Sequence, residues 1–445
     1  MKPINILLIG SGGREHTLAW KISQSDLCDQ LYISPGNGGT RKHGINLDIP
    51  ITAFDEIKKA VIKNKIGLIL VGPEEPLVKG ISDYFRDDKE TKHVKVIGPG
   101  KEAAQLEGSK AFAKSFMKKH NIPTAISQEF TIGNYEEGVE YIKQHELPVV
   151  LKADGLAAGK GVLICNSHLE ALAEFELVIM RAKFGDAGNK VVIEKFLTGI
   201  EMSVFILTDG NDYLLLPEAK DYKRIGENDK GLNTGGMGAI SPVPFFDEVL
   251  KQKVIDKIID PTIAGLKEDE LDYLGFIFFG LMVDNGEPMV IEYNCRLGDP
   301  ETEAIIPRIK TDLTALLISA ITGKLSAEEI EIDNRATAAV VAVSGGYPGV
   351  YKIGYEIHGL ENINEEETLM FHAGTVFKDE KVFTNGGRVM IASSFGENIK
   401  EAAEISTYHL EQIFCEDIYF RSDIGYEFNV ENNNGAAYTK SPHQN

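Results

Sequence analysis

Leu151-Lys152-Ala153-Asp154-Gly155-Leu156-Ala157-Ala158-Gly159-Lys160-Gly161-Val162 is the stretch on which the fold turns. It continues the apolar run LPVVLKA (147–153) and leads into GVLIC (161–165), so its glycines join two strands. A P-loop has four residues between its glycines, then Gly-Lys-Ser/Thr and a helix. Here three residues separate Gly155 from Gly159, Gly161 follows Lys160, and the chain goes on as a strand. The pattern predicts a glycine hairpin with Lys152 on the strand and Lys160 in the turn. Glycines let backbone amides approach an anion closely, so such a hairpin can fold over a polyphosphate as a flap. A flexible hairpin with surface lysines has the same local sequence, and the neighbouring motifs must decide.

Outward toward the C-terminus, Glu194-Lys195-Phe196-Leu197 ends one strand and Glu201 opens the next, seven residues after Glu194. A strand end can offer a backbone donor and acceptor to an adenine edge, and a carboxylate can accept from ribose hydroxyls. In Ile291-Glu292-Tyr293-Asn294-Cys295-Arg296, Glu292 and Asn294 are two apart on a strand and share a face. Oxygen donors in that arrangement suit Mg²⁺, which keeps water and phosphate oxygens as further ligands. The strands VVIEKF, EMSVFIL, YLLLP, GFIFFGLMV and PMVIEYN, with helices near 246–267 and 311–323, predict an antiparallel or mixed sheet over 191–325.

Outward toward the N-terminus, INILLIG (4–10), QLYIS (30–34), IGLILVG (66–72) and VKVIG (94–98) alternate with helical segments, the pattern of a parallel sheet covered on both faces. Gly10-Ser11-Gly12-Gly13-Arg14-Glu15 follows the first strand and opens a helix, a natural phosphate pocket. Dinucleotide binding fits poorly, because Glu15 stands where the third glycine belongs and the second strand ends in Ser34-Pro35-Gly36 rather than an acid. A tight turn without a ligand stays open. The loops at 35–40 and 72–77 would lie along the same sheet edge, where ligands of open α/β domains collect.

The chain divides as an N-terminal α/β unit (1–107), a linker helix (108–122) that overlaps the helical stretch 101–120, a small lid (123–190), a central unit (191–325) and a β-rich C-terminal unit (326–430). Residues 431–445 lack apolar periodicity and are expected to be a disordered tail. A length of 445 residues allows about three compact cores, and 43% hydrophobic with 25% charged residues is ordinary for a folded soluble enzyme. The net charge of −21 argues against nucleic acid and anionic lipid as partners. Cys28, Cys165, Cys295 and Cys415 have neither metal-site spacing nor disulfide density, so they are expected to be reduced, in a cytoplasmic protein without structural zinc. The opening apolar run is too short for a signal peptide, and no window suits a membrane span.

The flap, the EKFL hinge with its acid seven residues on, and the E-x-N strand together resemble the ATP-grasp ligases. More narrowly, GGREH (12–16), PGNGGT (35–40), VGPE-x-PLV-x-G (71–80), QLEGSK (105–110), NTGGMGA (233–239), NCRLGDPET (294–302), GGYPG (345–349), FHAGT (371–375) and TNGGRV (384–389) resemble the phosphoribosylamine–glycine ligase family. The resemblance implies a multidomain α/β and α+β chain: an ATP-grasp fold with an N-terminal open parallel α/β domain, a small lid, a central mixed-sheet domain and a C-terminal β-rich domain. It implies ligation of glycine to 5-phosphoribosylamine through a glycyl phosphate, in purine biosynthesis, with ATP and Mg²⁺ or Mn²⁺, by a monomer or weak homo-oligomer.

By the same resemblance ATP would be held by Lys110, Lys152, Gly155, Gly159, Lys160, Gly161, Glu194, Lys195, Leu197 and Glu201. The other substrates would meet Gly12, Gly13, Arg14, Glu15, Gly38, Gly39, Pro73, Glu74, Asp221, Arg224, Arg296 and Asp299. Arg296, Asp221 and Lys223 would be catalytic, and Glu292 and Asn294 would hold the metal. Lys220 and Tyr222 stand where the family more often has Gln and His, and GFIFFGLMV offers Leu281 or Met282 where many ATP-grasp enzymes have a second metal-binding acid. Another carboxylate–nucleophile pair is the alternative substrate set. A nucleotide sensor without catalysis is disfavoured by the presence of Lys110, Lys152, Glu292 and Asn294.

Overall fold

The computed structural model describes residues 2–156, 161–181, 183 and 189–428. The N-terminal sheet runs Ile45–Asn46, Cys28–Pro35, Ile4–Gly10, Ile66–Val71, Lys95–Ile97, all parallel. Alternation along its first strand explains the burial on both faces. Ile6 and Leu8 pack with Leu18 and Ile22, whereas Leu7 and Ile9 pack with Ile57 and Val61. Gly10, Pro35 and Val71 end their strands side by side, so the three expected loops do share one edge.

The third of those loops is not irregular: helices Glu74–Val78 and Ile81–Asp87 follow Pro73 directly, and Gly80 between them has φ of 85°. The expected helix over 101–120 is broken in two, Gln105–Gly108 and Lys110–Lys119. Ser109 turns out of the helix, its hydroxyl capping the Phe112 N–H at 3.1 Å and donating to Asp154 at 3.0 Å.

The lid is an antiparallel sheet in the order Ser127–Thr131, Lys190–Lys195, Val149–Ala153, Val162–Cys165. Helices Tyr135–Gln144 and His168–Arg181 cover it over a core of Phe130, Phe175 and Ile193. Strand Lys190–Lys195 was expected to open the central unit. It pairs instead between two lid strands, because its Val191 and Ile193 face the lid core.

The central sheet, Tyr213–Leu215, Ile200–Thr208, Gly275–Asp284, Glu287–Asn294, is antiparallel, with one parallel bridge from Thr124 to Val290. It shares a core with the N-terminal sheet, in which Phe279, Leu281 and Tyr293 join Leu7 and Ile9.

The C-terminal sheet is built from two parts of the chain. Ala336–Ser344, Arg388–Gly396 and Thr368–His372 carry on from Gly238–Ser241 and Lys220–Asp221, which come from the middle of the sequence. Residues 220–224 therefore lie at a sheet edge between the central and C-terminal layers. Among the described residues no helix is long and apolar enough to cross a membrane.

Candidate active site

A cavity of about 490 Å³ opens where the lid, the central sheet and the N-terminal unit meet. Its lid end begins with the flap strand. Lys152 is buried, and its ammonium lies 3.1 Å from Glu194 and 3.2 Å from the Ile291 carbonyl. Lys114 approaches the same Glu194 oxygen at 3.1 Å. Two ammonium groups thus share Glu194 Oε2, while Oε1 is buried with no protein partner. Burial pushes the Lys114 pKa down to about 8, against the pull of Glu194. Lys110 donates to the Gly155 carbonyl at 2.6 Å, and the Ala111 N–H donates to Asp154 at 3.0 Å. The root of the flap is thereby fastened to the N-terminus of helix Lys110–Lys119. Gly161 lines the cavity, whereas Gly159 and Lys160 lie outside the described residues.

The opposite end is organised by Arg296. Its Nη2 lies 2.8 Å from Glu107 Oε1 and 3.1 Å from Asn294 Oδ1, and its Nε is 3.4 Å from Glu74 without hydrogen-bond geometry. Glu107 also accepts the Cys295 N–H at 2.7 Å. Burial pushes the Glu107 carboxyl up to about 7 although Arg296 opposes it. Burial works the same way on Glu74, but Arg296 and then Arg14 outweigh it and hold Glu74 below the ordinary carboxylate range. Asp299 is also held low: Arg388, 3.1 Å away, and Arg14 overcome the cost of its burial. Pro73 and Arg14 complete this wall.

Asp221 stands between this cavity and a second one of about 270 Å³ that Leu197, Glu201, Arg224 and Met282 line. Lys223 pairs with Glu201 at 2.5 Å and lies 3.6 Å from Asp221. Burial pushes the Asp221 carboxyl up, with Lys223 pulling the other way. Lys223 is itself held well above the usual lysine range, because Asp221 and Glu201 outweigh its burial. The two cavities thus share Asp221 and Lys223 in their walls.

Sequence profiles of the phosphoribosylglycinamide synthetase N domain, ATP-grasp (A) domain and C domain match residues 4–107, 108–302 and 337–427. The chain is 44% identical over 427 residues to the phosphoribosylamine–glycine ligase of Escherichia coli O157:H7, covering 95% of this chain and 98% of that protein. It is 42% identical over 421 residues to the enzyme of the same name from Caldanaerobacter subterraneus subsp. tengcongensis, covering 95% and 99%. This chain belongs to the phosphoribosylglycinamide synthetase family. The crystal structure of phosphoribosylamine–glycine ligase from Thermotoga maritima superposes with a TM-score of 0.83 at 35% identity, covering 94% of this chain and all of that one. The biotin carboxylase domain of Hydrogenobacter thermophilus 2-oxoglutarate carboxylase, solved with MgADP, superposes with a TM-score of 0.71 at 17% identity over 94% of this chain and 92% of that one, and shows the ATP-grasp fold alone.

In this member of the phosphoribosylglycinamide synthetase family several expected contacts fall elsewhere. Glu15 does not face the cavity. Its carboxylate accepts the Gly12 N–H at 2.6 Å and the Arg14 Nε–H at 2.6 Å, so it holds the loop and aims Arg14, whose Nη1 donates to the Leu297 carbonyl at 3.1 Å. Gly12 and Gly13 are packing sites: a Cβ would meet Asp299 on the first and collide with Glu303 on the second. Gly38 and Gly39 pack against His372 and Thr375 of the C-terminal unit, with the Gly38 N–H donating to the Thr375 carbonyl at 3.2 Å. Lys195 points outward to Glu146 at 2.9 Å, and its N–H is taken by the Ile126 carbonyl.

Glu107, Lys114, Glu301 and Arg388 line the cavity and were not foreseen. Lys114 was within reach, since four residues after Lys110 on one helix is the same face. Arg388 and Glu301 lie inside TNGGRV and NCRLGDPET, but nothing in either string says that it meets the cavity. Glu292 and Asn294 both line the cavity, and the described residues hold no cluster of three His, Cys, Asp or Glu suited to a metal. Two oxygens from the chain fit an ion such as Mg²⁺ that completes its shell with phosphate and water.

Proposed function

We propose that this chain is a phosphoribosylamine–glycine ligase, which joins glycine to 5-phosphoribosylamine with ATP, giving glycinamide ribonucleotide, ADP and phosphate in purine biosynthesis. The observation that carries the reading is the continuity of one cavity from the lysines under the flap to the loops of the N-terminal sheet. A phosphoryl donor and an amine acceptor can meet there.

The polyphosphate lies at the lid end, where Lys110, Lys114 and Lys152 exceed the carboxylates they pair with. Glu194 Oε1 accepts an N–H or O–H from the nucleotide. Glycine's carboxylate is a poor electrophile, since attack by an amine would have to expel oxide. Its oxygen therefore attacks the γ-phosphorus, ADP leaves, and a glycyl phosphate forms. Glu292 and Asn294 would hold a metal ion, which would offset charge on the phosphate oxygens. Arg296, fixed by Glu107 and Asn294, binds the carboxylate as it becomes an acyl phosphate, and Lys223 and Asp221 orient the transferring group. The amine on C1 of phosphoribosylamine then attacks the carbonyl and phosphate departs with the former carboxylate oxygen. Arg14 and Glu74 hold the ribose phosphate side. Closure of the lid keeps water from the acyl phosphate.

The test is ADP release with glycine and phosphoribosylamine supplied separately and together, using glycine labelled with ¹⁸O in its carboxylate. Release that needs both substrates and yields labelled phosphate is expected. Release with a different carboxylate or nucleophile, but not with these, overturns the substrate reading. Unlabelled phosphate overturns the glycyl phosphate.

A further inference from the structure

The strand that separates the two cavities is very short, and Glu427, from the C-terminal unit, grips it beside the second cavity. Lys220 and Asp221 pair with Ile240 and Ala239 and have no second partner strand in that sheet. Asp221 and Lys223 line both cavities, Lys220 and Glu427 line the second, and the Lys220 and Tyr222 side chains both reach Glu427. The Lys220 ammonium lies 2.8 Å from Glu427 and 4.0 Å from the centre of the Tyr222 ring. The Tyr222 hydroxyl donates to the other Glu427 oxygen at 2.9 Å, and Tyr222 is 1% exposed.

The segment that carries Glu427 is itself anchored. Arg421, fully buried, pairs with Asp229 at 2.8 Å and Asp423 at 2.7 Å and donates to the Arg224 carbonyl at 3.1 Å. These contacts tie both ends of residues 220–229 to the same few C-terminal residues.

We propose that Glu427 is a positioning residue for the reaction: through Lys220 and Tyr222 it sets the place and the electrostatic surroundings of Asp221 and Lys223, and thereby the affinity for nucleotide. The inference rests on the reading of the two cavities as the nucleotide site. The mechanical part follows from the side-chain contacts of Lys220 and Tyr222 with Glu427, which add to the backbone bonds that Ala219 makes with Ser203 and Tyr222 makes with Gly238 and Met237. The electrostatic part follows from the position of Lys220. Its charge acts on Asp221 from the neighbouring position, and Glu427 pairs with it at 2.8 Å. Without Glu427, Lys220 would compete with Lys223 for Asp221. One carboxylate thus engages both Lys220 and Tyr222.

The experiment compares wild type, Glu427→Gln, Tyr222→Phe and Glu427→Gln with Lys220→Met, measuring KM for each substrate, ADP affinity by calorimetry and the thermal midpoint. Glu427→Gln is expected to raise KM for ATP and the Kd for ADP about tenfold, the loss of one charge-assisted contact, with KM for phosphoribosylamine changed by less than about twofold. Tyr222→Phe should move both nucleotide constants in the same direction by about threefold, with the fold intact. Removing the stranded ammonium in the double variant should recover most of the lost affinity. Nucleotide constants equal to wild type in folded Glu427→Gln and Tyr222→Phe, with only the thermal midpoint lowered, would reduce Glu427 to a structural fastening and overturn the proposal. ADP affinity is read independently of turnover, so a wild-type chain that binds ADP but does not join glycine to phosphoribosylamine would overturn the substrate reading and leave this comparison decisive.

Discussion

The two ends of the main cavity are built on opposite charge arithmetic. At the lid end two cations, Lys114 and Lys152, share one carboxylate, Glu194. At the other end two carboxylates, Glu74 and Glu107, share one guanidinium, Arg296. The first cluster is buried and the second partly so, so neither imbalance is screened as it would be in water. The first is left short of negative charge and suits a polyphosphate. In the second, burial raises the Glu107 carboxyl against the pull of Arg296 and, more weakly, Arg14, which makes Arg296 the element least able to be spared.

The largest effect should come from removing that single cation. Arg296→Met leaves the buried Glu107 without its partner at 2.8 Å, a loss of ~3–5 kcal/mol in stability, together with all measurable ligation. Urea unfolding and ADP release check both, and a stable, active variant would erase the asymmetry between the two ends.

Lys152→Ala removes one of two cations and should be gentler on the fold. It is expected to lower kcat/KM for ATP about a hundredfold, by exposing phosphate charge, while binding of phosphoribosylamine survives. Equal damage to both substrates would mean that the lysine supports the whole cavity rather than its lid end.

A smaller effect is expected from pH. The Lys114 pKa is near 8 in the folded chain against an ordinary value of 10.5. Between those values the unfolded chain binds the proton and the folded chain does not, so this group makes stability rise as pH increases through the window. Nucleotide affinity should move the other way, because the ammonium that faces phosphate is lost. KM for ATP is expected to rise several-fold between about pH 7.5 and 9 and to be flatter in Lys114→Met. A parallel rise in the variant would assign the titration elsewhere.

The smallest change belongs to Cys295, beside Arg296. Its side chain is buried, and burial pushes the thiol up to about 12, so it is neither a nucleophile nor a charge in this ledger. Cys295→Ser should keep activity within about twofold, and a folded but dead variant would call for an enzyme-bound acyl group instead.

Much of this site was legible because its parts are local. The flap, the Glu292–Asn294 pair and the loop edge of the parallel sheet each follow from residues close in sequence and from strand alternation. What escaped is long-range. That Glu15 turns back onto Gly12 and Arg14 instead of outward depends on the Gly10 and Gly72 backbones making room for its carboxylate. Gly38 and Gly39 look like anion-loop glycines, but they are small because His16, His372 and Thr375 lie against them, the last two more than three hundred residues on. The helix expected over 101–120 breaks at Ser109 because Asp154, forty-five residues away, competes for its donors. Strand Lys190–Lys195 reads equally well as the start of a new sheet until its partners are known.

The borrowed strands of the C-terminal sheet bear on how the protein is made. Ser241 meets Thr337, ninety-six residues later, and Gly238 meets Val340. On a ribosome, the wall that carries Asp221 emerges long before the strand against which Gly238–Ser241 must dock. Until then it presents an unpaired edge, the kind of surface that invites wrong partners. The N-terminal sheet has all five of its strands within the first hundred residues and can mature as it is synthesised. The catalytic wall cannot. Synthesis from separate genes cut between 325 and 326 would divide this sheet between two polypeptides, so the active site comes into being only when the last third of the chain is attached.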